Sequence, residues 1–459
     1  MDTTRLAPWK KPRRWIPLAV IAFIVLSAVA YRISSGAGVK RQIGELRAKK
    51  LPTTPTELDM WYKRVPASSN AALAFLEARG LFVMAGATNN PDEINLEFEV
   101  GDPLPEKLAA AVKLHLSRNR ETIDQLHEAA KLTETRYPID LTQGANTLLP
   151  HLAELKRLAQ LLKWEAIDQS TSGNKAEALR AINTSFAVAR SLELEPVLIS
   201  QFVRIAILAI NLVAVERVVS EQSLSDAELA DMQRELARAE EKTGRGMQIA
   251  MIGERALGTT IFKMDFKTFE AASGGGSLPD DNWWFAWAAL YEVRRFAGAD
   301  DRDLSFFITA LNDYERAMGL EFPAALQDAQ KVEASIWKEI AGRRLRYLIS
   351  GMILPSLGKA MNKGAVIVGQ IRCARLGIAA LRFRQAHGRA PTQNELVPGF
   401  IEAYPIDPVD AEPLTMEFSD GEIYVEAPAA TRLKNAGATR NKVPVSLTIL
   451  RTSGAKAAD

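Results

Sequence analysis

From about residue 54 to residue 387 apolar side chains return every three or four positions, the spacing of an amphipathic helix rather than the alternation of a strand. In HLAELKRLAQLLKWEAIDQS the residues Leu155, Leu158 and Leu162 fall on one face. In NKAEALRAINTSFAVARSLE the same holds for Leu179, Ile182 and Phe186, so the two runs predict a helical hairpin joined near Gly173. Ala176, Ala178 and Ala181 are the small residues expected where its helices approach. The next run, VLISQFVRIAILAINLVAVERVV, is apolar almost all round, but Gln201, Arg204 and Asn211 interrupt it. That pattern predicts a buried central helix rather than a second membrane span. Helix starts are written beside the runs. Thr54, Pro55 and Glu57 suit a cap, a first turn and a capping box, and Ser225 with Glu228 makes another, flanked by Leu224 and Leu229 as a hydrophobic staple.

The period changes at both ends of the chain. Near the N-terminus Lys10, Lys11, Arg13 and Arg14 precede an apolar run from Trp15 to Tyr31, short for a membrane span but flanked by interfacial aromatics. We read it as an uncleaved signal anchor with the tail inside; cleavage after Ala28-Val29-Ala30 is the alternative. The expected location is the inner membrane, single-pass, with the bulk of the chain periplasmic. Toward the C-terminus, RFRQAHGRAPTQNELVPGF reads as punctuation: Gly388 ends a long helix in the left-handed conformation, Pro391 blocks its continuation, and Thr392 with Glu395 opens a short one. His387 in the last turn then serves the helix end rather than catalysis. Strand candidates follow at Leu414 to Phe418, Glu422 to Glu426 and Val443 to Leu450, with Asp420-Gly421 as a hairpin turn.

Between these ends, ASGGGSLPDDNWWFAW and GADDRDLS are the clearest breaks. The aromatic cluster of Trp283, Trp284, Phe285 and Trp287 is expected to pack into the core, with contact to a membrane surface as the competing use.

The chain has 459 residues, 47% hydrophobic and 24% charged, with 57 Lys plus Arg against 55 Asp plus Glu and a formal net charge of +2. A globular balance and interleaved signs argue against disorder and against a nucleic-acid partner. Cys373 is the only cysteine, which rules out an intrachain disulfide and a cysteine-based zinc knuckle.

Catalytic signatures are missing from the sequence. His127-Glu128 lacks the second histidine of a zinc-protease helix, and Gly358-Lys359 lacks the glycine spacing of a phosphate loop. His115, His127 and His151 share one helical region; helix packing explains them without a metal. Asp280-Asp281 and Asp300-Asp301 read as solvated loop or cap residues. No catalytic residue, cofactor or metal ligand is assigned. The partner-binding candidates are on the long helix before Gly388: Ile367, Ile371 and Ile378 on its apolar side, and Arg372, Arg375 and Arg382 on a basic flank, either solvated or meeting an acidic partner surface.

The order of long helix, FRQAHGRAPTQNELVPGFI, YPIDPVDAEPLTMEF, SDGEIYVEAP and VPVSLTILR resembles the C-terminal module of the major type II secretion pseudopilins, matched at Gly388, Pro391, Leu396, Asp407, Pro408 and Pro413 over roughly 90 residues. The resemblance implies assembly through the helix. It departs at Val409, at Ala411 where that family commonly has glycine, and in lacking a prepilin-peptidase site; Asp407, Asp410 and Glu412 are the candidate ligands at the turn where that family binds calcium, an ordinary Asp-Pro turn being the other reading and the preferred one. The hairpin near Gly173 weakly resembles a tetratricopeptide-like unit.

The expected fold is mainly α: a basic tail and transmembrane helix (1–34), an irregular antiparallel helical array (35–298), a helical connector (299–354), a small C-terminal α+β module with a short antiparallel sheet (355–451), and a tail (452–459). The expected function is a binding or scaffolding protein of the bacterial envelope with a protein partner, linked to a secretion or pilus-like system. The alternative is an envelope hydrolase with dispersed carboxylates and histidines.

Overall fold

The computed structural model of the chain describes residues 16–86, 90–94, 100, 102–272, 284–419, 421–436 and 443–450. The basic tail with Trp15, the residues Asp280, Asp281 and Trp283, Asp420 of the expected hairpin turn, and the C-terminal tail lie outside the described residues. In chain order the helices are α1 (Ile16–Ala48), α2 (Pro55–Trp61), α3 (Ala71–Gly80), α4 (Glu106–Arg118), α5 (Arg120–Ala129), α6 (His151–Thr171), α7 (Lys175–Arg190), α8 (Leu198–Glu221) and α9 (Asp226–Gly258). They continue as α10 (Phe266–Ala272), α11 (Trp284–Phe296), α12 (Ala299–Met318), α13 (Ala324–Gly342), α14 (Leu348–Ile353), α15 (Pro355–His387) and α16 (Gln393–Leu396). After β1 (Thr415–Ser419) and β2 (Glu422–Glu426) come α17 (Pro428–Lys434) and β3 (Ser446–Ile449).

The expected hairpin is α6 and α7, turned at Gly173 with φ 78°. Leu155, Leu158, Leu162, Ile182 and Phe186 are buried in it. Ala178 and Ala181 lie at the close approach, whereas Ala176 is exposed in the first turn of α7. Helix α8 is a central element. Its interior polar side chains donate to backbone carbonyls, Gln201 Nε2 to Leu192 O at 2.8 Å, Asn211 Nδ2 to Ile182 O at 3.2 Å and Arg204 Nη2 to Ala239 O at 3.4 Å, while Gln201 Oε1, Asn211 Oδ1 and Arg204 Nε are buried without a hydrogen-bond partner. Each buried amide would otherwise cost about 1–3 kcal/mol. Capping boxes at Ser225/Glu228 and Thr392/Glu395 start α9 and α16.

Two apolar cores share their helices. One joins α2 to α9 with the second half of α15 and the sheet; the other joins the end of α1, the middle of α9 and α10 to α14 with the first half of α15. The C-terminal segment is therefore built into the helical body through α15.

The sheet is antiparallel in the order β1-β2-β3, with Phe418 opposite Ile423 and Val425 opposite Leu447. Ile423, Val425, Leu447 and Ile449 are buried in the same core as α15. The free edge of β3 is covered by α8: Thr448 N donates to Glu216 Oε1 at 2.6 Å and Leu450 N to Ser220 Oγ at 3.2 Å. Capping the edge in this way removes a template for pairing with another chain. Gly388 closes α15 at φ 70°, and Ala411 takes φ 67°, the conformation that a glycine adopts without strain.

Candidate functional site

The six expected partner residues come together, but inside the chain. Ile367, Ile371 and Ile378 are buried in the first core. The basic flank meets α9: Glu240 accepts from Arg372 Nε at 2.7 Å and from Arg375 Nη1 at 2.6 Å, and Asp226 accepts from Arg382 Nε at 2.7 Å. Arg372 also donates to Ile406 O at 2.8 Å and Arg382 to Gln233 Oε1 at 3.0 Å. The flank is thus largely buried, and the acidic residues it meets within the chain belong to α9. Half-buried guanidinium–carboxylate pairs of this kind fix the register of two helices, and removing one member leaves an uncompensated charge.

The histidines sit apart with separate partners. His127 contacts Thr184 Oγ1 at 2.7 Å and Glu165 Oε1 at 3.2 Å. His151 contacts Glu195 at 3.0 Å and stacks on Tyr137 at 4.3 Å. His115 lies edge-on to Phe82 and beside Asn119. The carboxylate of Asp407 accepts from Val409 N at 3.0 Å, Ala429 N at 2.8 Å and Ala430 N at 3.1 Å, so it anchors the start of α17, while Asp410 pairs with Arg432 at 3.3 Å. Among the described residues no three Asp, Glu, His or Cys side chains gather to hold a metal.

A cavity of about 230 Å³ lies between α8, α9, α12 and α14, lined by Val197, Ile199, Leu257, Phe307 and Ile353, with Glu254 as its one titratable side chain. Glu254 Oε1 accepts the N–H of Leu198 at 2.9 Å, the first of α8. Burial pushes its carboxyl above the usual range, against the pull of that hydrogen bond. One carboxyl in an apolar wall can orient a ligand or cap a helix; paired acid/base chemistry calls for a second group. No motif in the sequence pointed to Glu254. The available signal was Gly253 before it, a glycine within a helical run.

A second constellation joins α11, α12 and α14. Asp303 accepts from Arg294 Nη2 at 2.8 Å and from the N–H groups of Ile349 at 2.9 Å and Ser350 at 3.2 Å, capping α14. Asp300, expected as a solvated cap, is instead buried against Arg294 at 2.6 Å. Burial raises its carboxyl to about 6, partly offset by Arg294. Because the folded value lies above the unfolded one, this group favours folding more as pH falls from 7 through 6 toward 4. Asp300→Asn should remove that gain. The difference in unfolding free energy between the two proteins should shift by about 1 kcal/mol, after allowance for solvent screening, between pH 7.5 and pH 4.5. Parallel pH profiles would refute the assignment.

The platform around this constellation is apolar and outward-facing. Phe285, expected in the core, is 81% exposed, and Val293 and Phe296 on the same side of α11 are 65% and 79% exposed. No family model, curated protein or solved structure matches this chain.

Proposed function

We propose that the chain is a single-pass protein of the bacterial inner membrane, anchored by the first half of α1, whose periplasmic helical body binds or scaffolds a protein partner linked to a secretion or pilus-like system. What carries the reading is the form of α1. It is one unbroken helix of 33 residues. Its early apolar positions Val20, Phe23, Leu26 and Val29 are exposed at helical spacing, whereas Val39 and Leu46 are buried against the body. A solvent-facing stripe of that size is unfavourable in water and is matched by a bilayer. The second half is fixed to α12: Gln42 Nε2 donates to Thr309 Oγ1 at 2.9 Å and Arg302 Nε to Ser35 Oγ at 2.9 Å. A rigid stem of this kind would hold the body at a set distance and tilt.

The pseudopilin-like reading is supported by the order α15, α16, Asp407 turn and antiparallel strands, and by the left-handed Ala411 where that family commonly has glycine. With the apolar side of α15 occupied internally, a partner would meet another surface.

The test is membrane fractionation followed by in-cell crosslinking. The protein is expected to resist carbonate extraction and to co-purify with envelope assembly proteins after crosslinking. A soluble form beginning at Tyr31 would overturn the anchor, and full recovery without any crosslinked partner would overturn the scaffold.

A further inference from the structure

The stem joins the body at an unusual place. Arg32, the first charge after the apolar run, donates from Nη1 to Phe296 O at 2.6 Å, and Arg302 lies over the ring of Tyr31 at 4.0 Å. The last turn of α11 and the first turn of α12 therefore stand level with the end of that run. From this level α11 extends with Phe296, Val293 and Phe285 exposed on one side and Leu290 partly so. Behind them a groove of about 240 Å³ opens between α10, α11 and α14, walled by Phe266, Phe269, Leu290, Val293, Leu348 and Met352 with almost no polar lining. Across the groove Leu345 is 60% exposed, within the basic stretch Arg343, Arg344 and Arg346; the first two are exposed.

We propose that this platform is a second membrane contact: α11 and Leu345 seat in the bilayer leaflet nearest the body, acyl chains fill the groove, and the neighbouring arginines meet anionic headgroups. The inference rests on the reading of α1 as an anchor. Three observations favour lipid over a protein occupant. The exposed apolar residues of α11 begin at Phe296, whose carbonyl Arg32 contacts at the level where α1 would leave the hydrocarbon. The arginines beside Leu345 form the basic rim that an interfacial segment presents to anionic lipid. The groove offers apolar contact and scarcely any directional hydrogen-bonding groups by which a particular protein would be selected. Two contacts on one rigid body remove the rotational freedom that a single helix leaves. The sheet, which belongs to the other apolar core, is then held in a set orientation to the membrane.

The full chain in a Cys373→Ala background tests this. A nitroxide is placed at position 26, 293, 345 or 417, one at a time, by Leu26→Cys, Val293→Cys, Leu345→Cys or Glu417→Cys. Each protein is reconstituted into vesicles of three parts phosphatidylcholine to one part phosphatidylglycerol. Collision rates with dissolved oxygen and with a water-soluble nickel chelate are then compared, and circular dichroism verifies the fold. The oxygen-to-nickel ratio at 293 and 345 should exceed that at 417 on the order of tenfold and fall below that at 26, which lies about 9 Å deeper along α1. Nickel access at 293 and 345 with lipid-like behaviour at 26 would remove the platform and leave the anchor. Shielding from both quenchers with spin–spin broadening would mean that a second copy covers the face, which also overturns it. Nickel access at 26 would remove the anchor and this inference with it.

Discussion

Ile371→Asp is expected to yield no folded chain, whereas Ile371→Val should cost about 1 kcal/mol and His387→Ala no more than a ring contact. Ile371 is 1% exposed, in the core shared by α15, α8, α9 and the sheet. A carboxylate there loses its hydration without a designed partner, a cost of several kcal/mol against a total stability of roughly 5–15 kcal/mol. Arg375, one turn on along α15, is already bonded to Glu240. Diverting it would leave Glu240 short of a partner and move the penalty rather than remove it. His387 is exposed beyond the last core residue, with its ring 4.3 Å from Phe383. Soluble yield and circular dichroism of the three variants decide the point. A folded Ile371→Asp protein with native melting would mean that α15 is not the structural spine described above.

What the sequence made legible is what depends on near neighbours. The hairpin at Gly173, the boxes at Ser225 and Thr392, the stop at Gly388 and the strands around Gly421 are each set by residues within one helical turn or one β-turn, so their signals survive without tertiary information. The arginine flank was legible as basic and on one side of α15. Its partners were not, because Glu240 and Asp226 lie more than a hundred residues earlier and ordinary i,i+4 reasoning ends at the helix. Phe285, the one member of the aromatic cluster whose side chain is described, misled for the opposite reason. An apolar run predicts burial only if the fold supplies something to bury it, and α11 turns Phe285 outward. The buried state of Asp300 was hidden too, since Arg294 meets it only after α11 and α12 fold back on each other.

Gly253→Ala is expected to destabilise the protein by about 3 kcal/mol, although alanine is the better helix former by about 1 kcal/mol. Gly253 lies in the middle of α9, where it is buried. A Cβ built on it would come within 1.6 Å of the carbonyl oxygen of Pro196 and 2.7 Å of the carbonyl carbon. The obstacle is backbone, so no rotamer change can relieve it. Either α9 retreats or residues 196–198 move away. Either movement strains the hydrogen bond from Leu198 N to Glu254, and with it the start of α8, the helix that both packs the α6–α7 hairpin and covers the edge of β3. Equilibrium urea unfolding is the measurement, with the midpoint falling at unchanged slope. Propensity and packing predict opposite signs here, so a raised midpoint would show that α9 and the α8 entry do not approach as closely as the backbone places them.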